Sequence, residues 1–192
     1  MFEIPQPSMA VNSHNVPPPD YRMWNTRKVD SQVNPVDLLN NIESVADSAT
    51  GGYLRCVVFN SHGNPGRLSI GTGIGRGDTW TFSALKGKVR TIVVVACEVA
   101  EIQKANDWQD GNLFCCEIAK QSQAYVFAST ALQTTGLYGI PVIGGLPVNC
   151  VDEFEGDVYR WSPDGSCRQV DNAYITRWML NMKMGRNPQE WK

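Results

Sequence analysis

An α/β domain with a mainly parallel central sheet and a C-terminal β-hairpin extension is the fold this sequence predicts, on three observations. Segments of helical and strand periodicity alternate from residue 36 to residue 128. The run Ile92-Val93-Val94-Val95-Ala96-Cys97 is continuously apolar and β-branched, as in strands buried on both faces. Beyond residue 150 the character changes to short alternating segments around Ser162-Pro163-Asp164-Gly165-Ser166, a strong turn signal.

Taken in order, residues 1–35 are rich in Pro, Asn and Ser, with Pro17-Pro18-Pro19 at their centre and no apolar periodicity. They read as a flexible or draped N-terminal arm, leaving 36–192 as a single domain. In 36–46 the apolar positions Leu38, Leu39, Ile42, Val45 and Ala46 follow the i, i+3, i+4 spacing of an amphipathic helix entered at Pro35. Residues 53–60 predict a strand, 61–66 a turn cluster and 67–71 a short second strand. Gly71, Gly73, Gly75 and Gly77 then form a loop, and 80–85 a helical turn. The strand at 90–96 is followed by a helix over 110–121, with Leu113, Phe114, Cys116 and Ile118 set to pack on a sheet, and by a strand at 124–128. Right-handed βα units follow from this alternation. A hairpin is expected within 154–170, and a closing helix over 174–184 with Ile175, Trp178, Met179 and Met182 on one side.

Composition narrows the function. The chain has 192 residues, 42% of them hydrophobic, enough for one sizeable core. Its 17 Lys and Arg against 19 Asp and Glu leave a net charge of −2. Phosphate-dominated nucleic-acid binding and a polybasic membrane surface both need a basic face, and neither is expected. No apolar run approaches the roughly 20 residues of a membrane span, and the start Met1-Phe2-Glu3-Ile4-Pro5 lacks the features of a signal peptide. A cytoplasmic chain without membrane insertion is expected, with secretion by a signal-less route left open. With two histidines and no Cys-x-x-Cys pair among six cysteines, neither a metal site nor another cofactor is expected. Cys115-Cys116 reads as core helix, and Cys150 and Cys167 could pair in an oxidising compartment. The glycine loop at 71–77 fits neither G-x-G-x-x-G nor the P-loop, and His14 reads as a solvated tail residue.

Two positions stand out by location. His62 follows one apolar strand and precedes Gly63, and Cys97 ends the strongest strand of the chain. Ligand sites of open α/β sheets lie off the carboxyl ends of the strands. If these strands are parallel neighbours, the two side chains leave the same sheet edge, as a Cys–His nucleophile pair requires.

The pattern Val57-Val58-Phe59-Asn60-Ser61-His62-Gly63, then a short hairpin, then Ile92-Val93-Val94-Val95-Ala96-Cys97 resembles the caspase-like cysteine peptidases, which include caspases, legumain, gingipain and clostripain. It is most similar to a bacterial caspase-like domain family found in large surface and repeat proteins. Members of that family also carry a following helix and a strand ending in Ala-Ser-Thr, as in Ala128-Ser129-Thr130 here. The resemblance spans about residues 53–132. The Gln-Ala-Cys-x-Gly signature of caspases is not present, since Val95 precedes Ala96 and Glu98 follows Cys97.

The resemblance implies a three-layer caspase-like domain and a cysteine endopeptidase acting on a protein or peptide substrate. Cys97 would be the nucleophile and His62 its proton partner, with backbone N–H groups of Gly63 and Cys97 facing the oxyanion. The acidic loops after the sheet suggest Glu98, Asp107 and Asp152 as substrate-binding groups that favour a basic residue at the cleavage position. A catalytically inactive caspase-like module that binds a protein or peptide is the competing expectation. A Cys–His amidase or acyltransferase of another group is the third.

Overall fold

A computed structural model describes residues 1–102, 109–133 and 147–186. Its centre is a seven-stranded mixed sheet. The strands in chain order are β1 (Phe2–Glu3), β2 (Ser8–Ser13), β3 (Asn25–Val29), β4 (Leu54–Asn60), β5 (His62–Asn64), β6 (Arg67–Ser69), β7 (Val89–Val95), β8 (Tyr125–Ser129), β9 (Cys150–Val151), β10 (Val158–Trp161) and β11 (Cys167–Val170). The helices are α1 (Pro35–Ser48), a 3-10 helix (Arg76–Leu85), α2 (Gly111–Ser122) and α3 (Asn172–Lys183).

The large sheet runs β11-β10-β8-β7-β4-β2-β3. Its β3, β2, β4, β7 and β8 are parallel neighbours, and β10 and β11 add an antiparallel edge. Two small pairs flank it, β1 with β9 and β5 with β6.

Period-two alternation splits the core. Val57, Phe59, Ile92, Val94 and Val126 face a cluster closed by Leu38 and Ile42 of α1, Phe82 of the 3-10 helix, and Phe114 and Ile118 of α2. Cys56, Val58, Val93, Val95 and Phe127 face a second cluster closed by Ile175, Trp178 and Met179 of α3. The Trp178 ring meets Tyr125 at 4.6 Å and Phe127 at 5.5 Å, both edge-on. Helices therefore cover both faces of the sheet. A run with no polar residue, such as Ile92–Val95, is what a strand buried on both sides demands.

Side-chain caps fix where the helices begin. Asn34 accepts from the Asp37 N–H at 2.9 Å, Asp110 from Leu113 at 2.9 Å and Asp171 from Tyr174 at 2.6 Å. Each such cap contributes about 1 kcal/mol.

The structure corrects the reading of residues 1–35 as an arm outside the domain. Their segment Ser8–Ser13 is an interior strand, buried at every residue between β3 and β4. Its polar side chains escaped the periodicity because tertiary hydrogen bonds satisfy them. Ser8 Oγ donates to Pro5 O at 2.5 Å and accepts from the Cys56 N–H at 3.0 Å. Asn12 bonds both the N–H and the carbonyl of Tyr21, at 3.0 and 2.9 Å, and accepts from Asn60 Nδ2 at 2.9 Å. The predicted turn at 61–66 also contains strand β5, and the helical turn at 80–85 begins earlier, at Arg76. No described helix is long and apolar enough to cross a membrane.

Candidate functional site

Beyond the last paired residues of β4 and β7, Asn60 and Val95, the chain leaves both strands on the same side. The Ser61 N–H donates to Val95 O at 3.2 Å, so the two exits stay in step for one more residue. His62 and Cys97 therefore emerge from neighbouring parallel strands at their carboxyl edge. The parallel strands also reverse their order between β2 and β4, the switch point where open α/β sheets place ligands.

The imidazole spans that switch point. His62 Nε2 lies 3.1 Å from the carbonyl oxygen of Asn15, just beyond β2. A carbonyl only accepts, so Nε2 carries the proton, and in the neutral ring the lone pair is on Nδ1.

Cys97 is half-buried, with its sulfur between the main-chain groups of Gln133. Sγ accepts from the Gln133 N–H at 3.4 Å and lies 3.5 Å from the Gln133 carbonyl. The Gln133 side chain reaches the carbonyls of Ala131 at 3.1 Å and Glu155 at 3.0 Å, and accepts from the Glu155 N–H at 3.2 Å. Among the described residues, no hydrogen bond joins Cys97 Sγ to the His62 ring; each is held by its own main-chain partner.

The turn that follows Cys97 is clamped from several sides. Glu98 N–H donates to Ala131 O at 2.9 Å, Ala100 N–H to Ser129 O at 3.2 Å, and Gly66 N–H to Val99 O at 3.2 Å. Glu98 adopts a left-handed backbone, φ 52°, which costs a non-glycine residue about 1 kcal/mol or more. Gly111, at the start of α2, lies so close that a Cβ there would come within 2.2 Å of Val99 O.

Gly63 belongs to the same packing. A Cβ on Gly63 would lie 2.8 Å from Cys97 O and 3.0 Å from Ala96 Cβ. Opposite Gly63, Leu68 uses both its N–H and its carbonyl on Ile74, at 2.9 Å each. Gly63–Leu68 is therefore a non-hydrogen-bonded pair, and the Gly63 N–H points away from β6. Among the described residues the Cys97 N–H likewise has no main-chain acceptor. We expect Gly63→Ala to displace the Cys97 peptide and to cost about 1–3 kcal/mol, lowering Tm by about 2–10 °C. A melting curve matching wild type would show that the contact is easily relieved.

Of the expected substrate-binding carboxylates, Glu98 and Asp152 lie among the described residues. Glu98 is next to Cys97 in sequence and half-buried, whereas Asp107 lies outside the described residues. Asp152 accepts from the Tyr21 hydroxyl at 3.3 Å, and burial first, then this carboxylate, pushes the phenol above its ordinary range. Arg76, a basic residue on the segment after His62, is ion-paired with Glu117 of α2. Asn15 and Gln133 were missed by the sequence because they act through main-chain atoms, which leave no residue-type signal.

Comparison with protein-family models gives no match, and comparison with curated proteins gives none either.

Proposed function

We propose that the chain is a caspase-like cysteine peptidase in which Cys97 is the nucleophile and His62 its proton partner. The observation that carries this reading is the exit of His62 and Cys97 from adjacent parallel strands, with the Gly63 backbone against the Cys97 peptide. Helices on both sheet faces and the antiparallel β10–β11 edge support a three-layer caspase-like arrangement.

In the proposed reaction the Cys97 thiol gives its proton to His62 Nδ1, and the thiolate attacks the scissile carbonyl carbon. The oxyanion forms against the N–H groups of Gly63 and Cys97, neither of which has a main-chain acceptor among the described residues. Collapse breaks the C–N bond, His62 protonates the departing amine, and water then hydrolyses the thioester. The Asn15 carbonyl is a positioning group that holds Nε2 as donor and Nδ1 as base.

The engagement of the thiol by Gln133 favours the second reading, a module that binds a peptide without cleaving it. Fluorogenic peptides differing only at the cleavage position, with iodoacetamide labelling in parallel, separate the two. A peptidase releases fluorophore and loses that activity as Cys97 is alkylated, with faster release after Arg or Lys than after Asp if the acidic loops set the preference. No release, with Cys97 alkylated no faster than Cys150, would leave the binding module.

A further inference from the structure

We infer that Cys116 and Cys167 form a reversible disulfide, a redox staple between α2 and the β10–β11 hairpin, remote from Cys97 in the chain and independent of the peptidase reading. Facing surfaces bring the two thiols together. Trp161 and Cys167 are directly opposed across β10 and β11, so their side chains share one face of the sheet. Trp161 points into the cluster beneath α2, where its Nε1 donates to Asn112 Oδ1 at 2.9 Å. Cys116 is four residues beyond Asn112 and so lies on the same side of the helix. Its sulfur lies 3.6 Å from the carbonyl of Gly165, in the turn that joins the two strands. A Cβ on Gly165 would come within 3.2 Å of that sulfur and 2.2 Å of Lys120 Cε, which shows how tightly helix and turn are pressed together.

Access also fits. Cys167 is exposed and Cys116 half-buried, both as free thiols, whereas Cys115 is fully buried in the core. Burial raises the Cys167 pKa, with Cys116 the next contributor; burial, then Cys167, in turn raises Cys115, so access is what singles out Cys116. The reagent is a low-molecular-weight disulfide such as oxidised glutathione. The Cys167 thiolate attacks one glutathione sulfur, breaking its S–S bond and releasing one glutathione thiolate. The Cys116 thiolate then attacks the Cys167 sulfur of the mixed disulfide and releases the second. The two protons lost by the protein thiols go to the two glutathione thiolates; the protein is oxidised by two electrons and glutathione is reduced by two.

The test incubates dilute full-length protein with oxidised glutathione, blocks residual thiols with N-ethylmaleimide, digests without reductant and reads linked peptides by mass spectrometry. The expected product joins Cys116 to Cys167, is lost in Cys116→Ser and Cys167→Ser, survives in Cys115→Ala, and disappears on adding dithiothreitol. Since Cys115 and Cys116 are adjacent, fragment ions of the wild-type product assign the sulfur even if a variant fails to fold. The loop closed is about 50 residues long, and a Tm rise of about 5 °C, reversed by reductant, is expected. A link through Cys115, a Cys167 found only as a glutathione adduct or an intermolecular dimer, or a Tm unchanged or lowered on oxidation would each overturn the staple.

Discussion

Deleting residues 1–30 is expected to abolish cooperative folding. The deletion removes β1, β2 and β3 entirely, and so two strands of the seven-stranded sheet. It also removes the buried side chains of Phe2, Ile4, Met9, Val11, Tyr21 and Val29. At about 1.5–3 kcal/mol for each fully buried large apolar side chain, the loss is on the order of 10 kcal/mol, comparable with the whole stability of a typical domain. The polar cost adds to it. The Cys56 N–H loses Ser8 Oγ, and the Asn60 amide loses Asn12, each inside the protein. Thermal unfolding followed by circular dichroism checks this. A sigmoidal transition within a few degrees of the full chain would mean that β4 tolerates exposure as an edge and that the N-terminal strands are dispensable.

Loss of cooperative folding would contradict the most natural reading of the first 35 residues, and the reason is instructive. Strands β4, β7 and β8 were legible because most of their buried side chains are apolar, and apolar burial leaves a pattern in the residue types. In β2 the sequence Ser-Met-Ala-Val-Asn-Ser carries three polar residues, yet all six are buried. What makes that strand possible is a set of partners such as Tyr21 and Asn60, brought to it only by the fold. Local periodicity has no access to them. The same limit divides the candidate site. His62 and Cys97 were legible because strand ends can be read from the sequence, and the sheet order then makes those ends adjacent. Asn15 and Gln133 were not, since a carbonyl or an N–H is the same whichever residue bears it. The acidic specificity group fared worst: counting carboxylates in loops said nothing of Tyr21, which Asp152 engages.

Cys97→Ala is expected to reduce peptide hydrolysis to background, and His62→Ala to lower kcat/KM by about 10²- to 10⁴-fold, the usual range for a lost general acid–base. Neither change should disturb the fold. Among the described residues the exposed His62 ring makes a hydrogen bond to Asn15 alone, and the half-buried Cys97 sulfur is bonded to Gln133 alone. Tm should therefore stay within about 2 °C of wild type, a shift corresponding to less than about 1 kcal/mol. The double variant is the sharper measurement. Two residues that act on one proton and one thiolate are a unit, so removing His62 after Cys97 should cost nothing more. A structural or substrate-binding role for His62 predicts the opposite, an extra loss in the double variant or a raised KM with kcat kept. Measured losses that multiply across the two substitutions would refute the dyad, even if each single variant is inactive enough to suggest it.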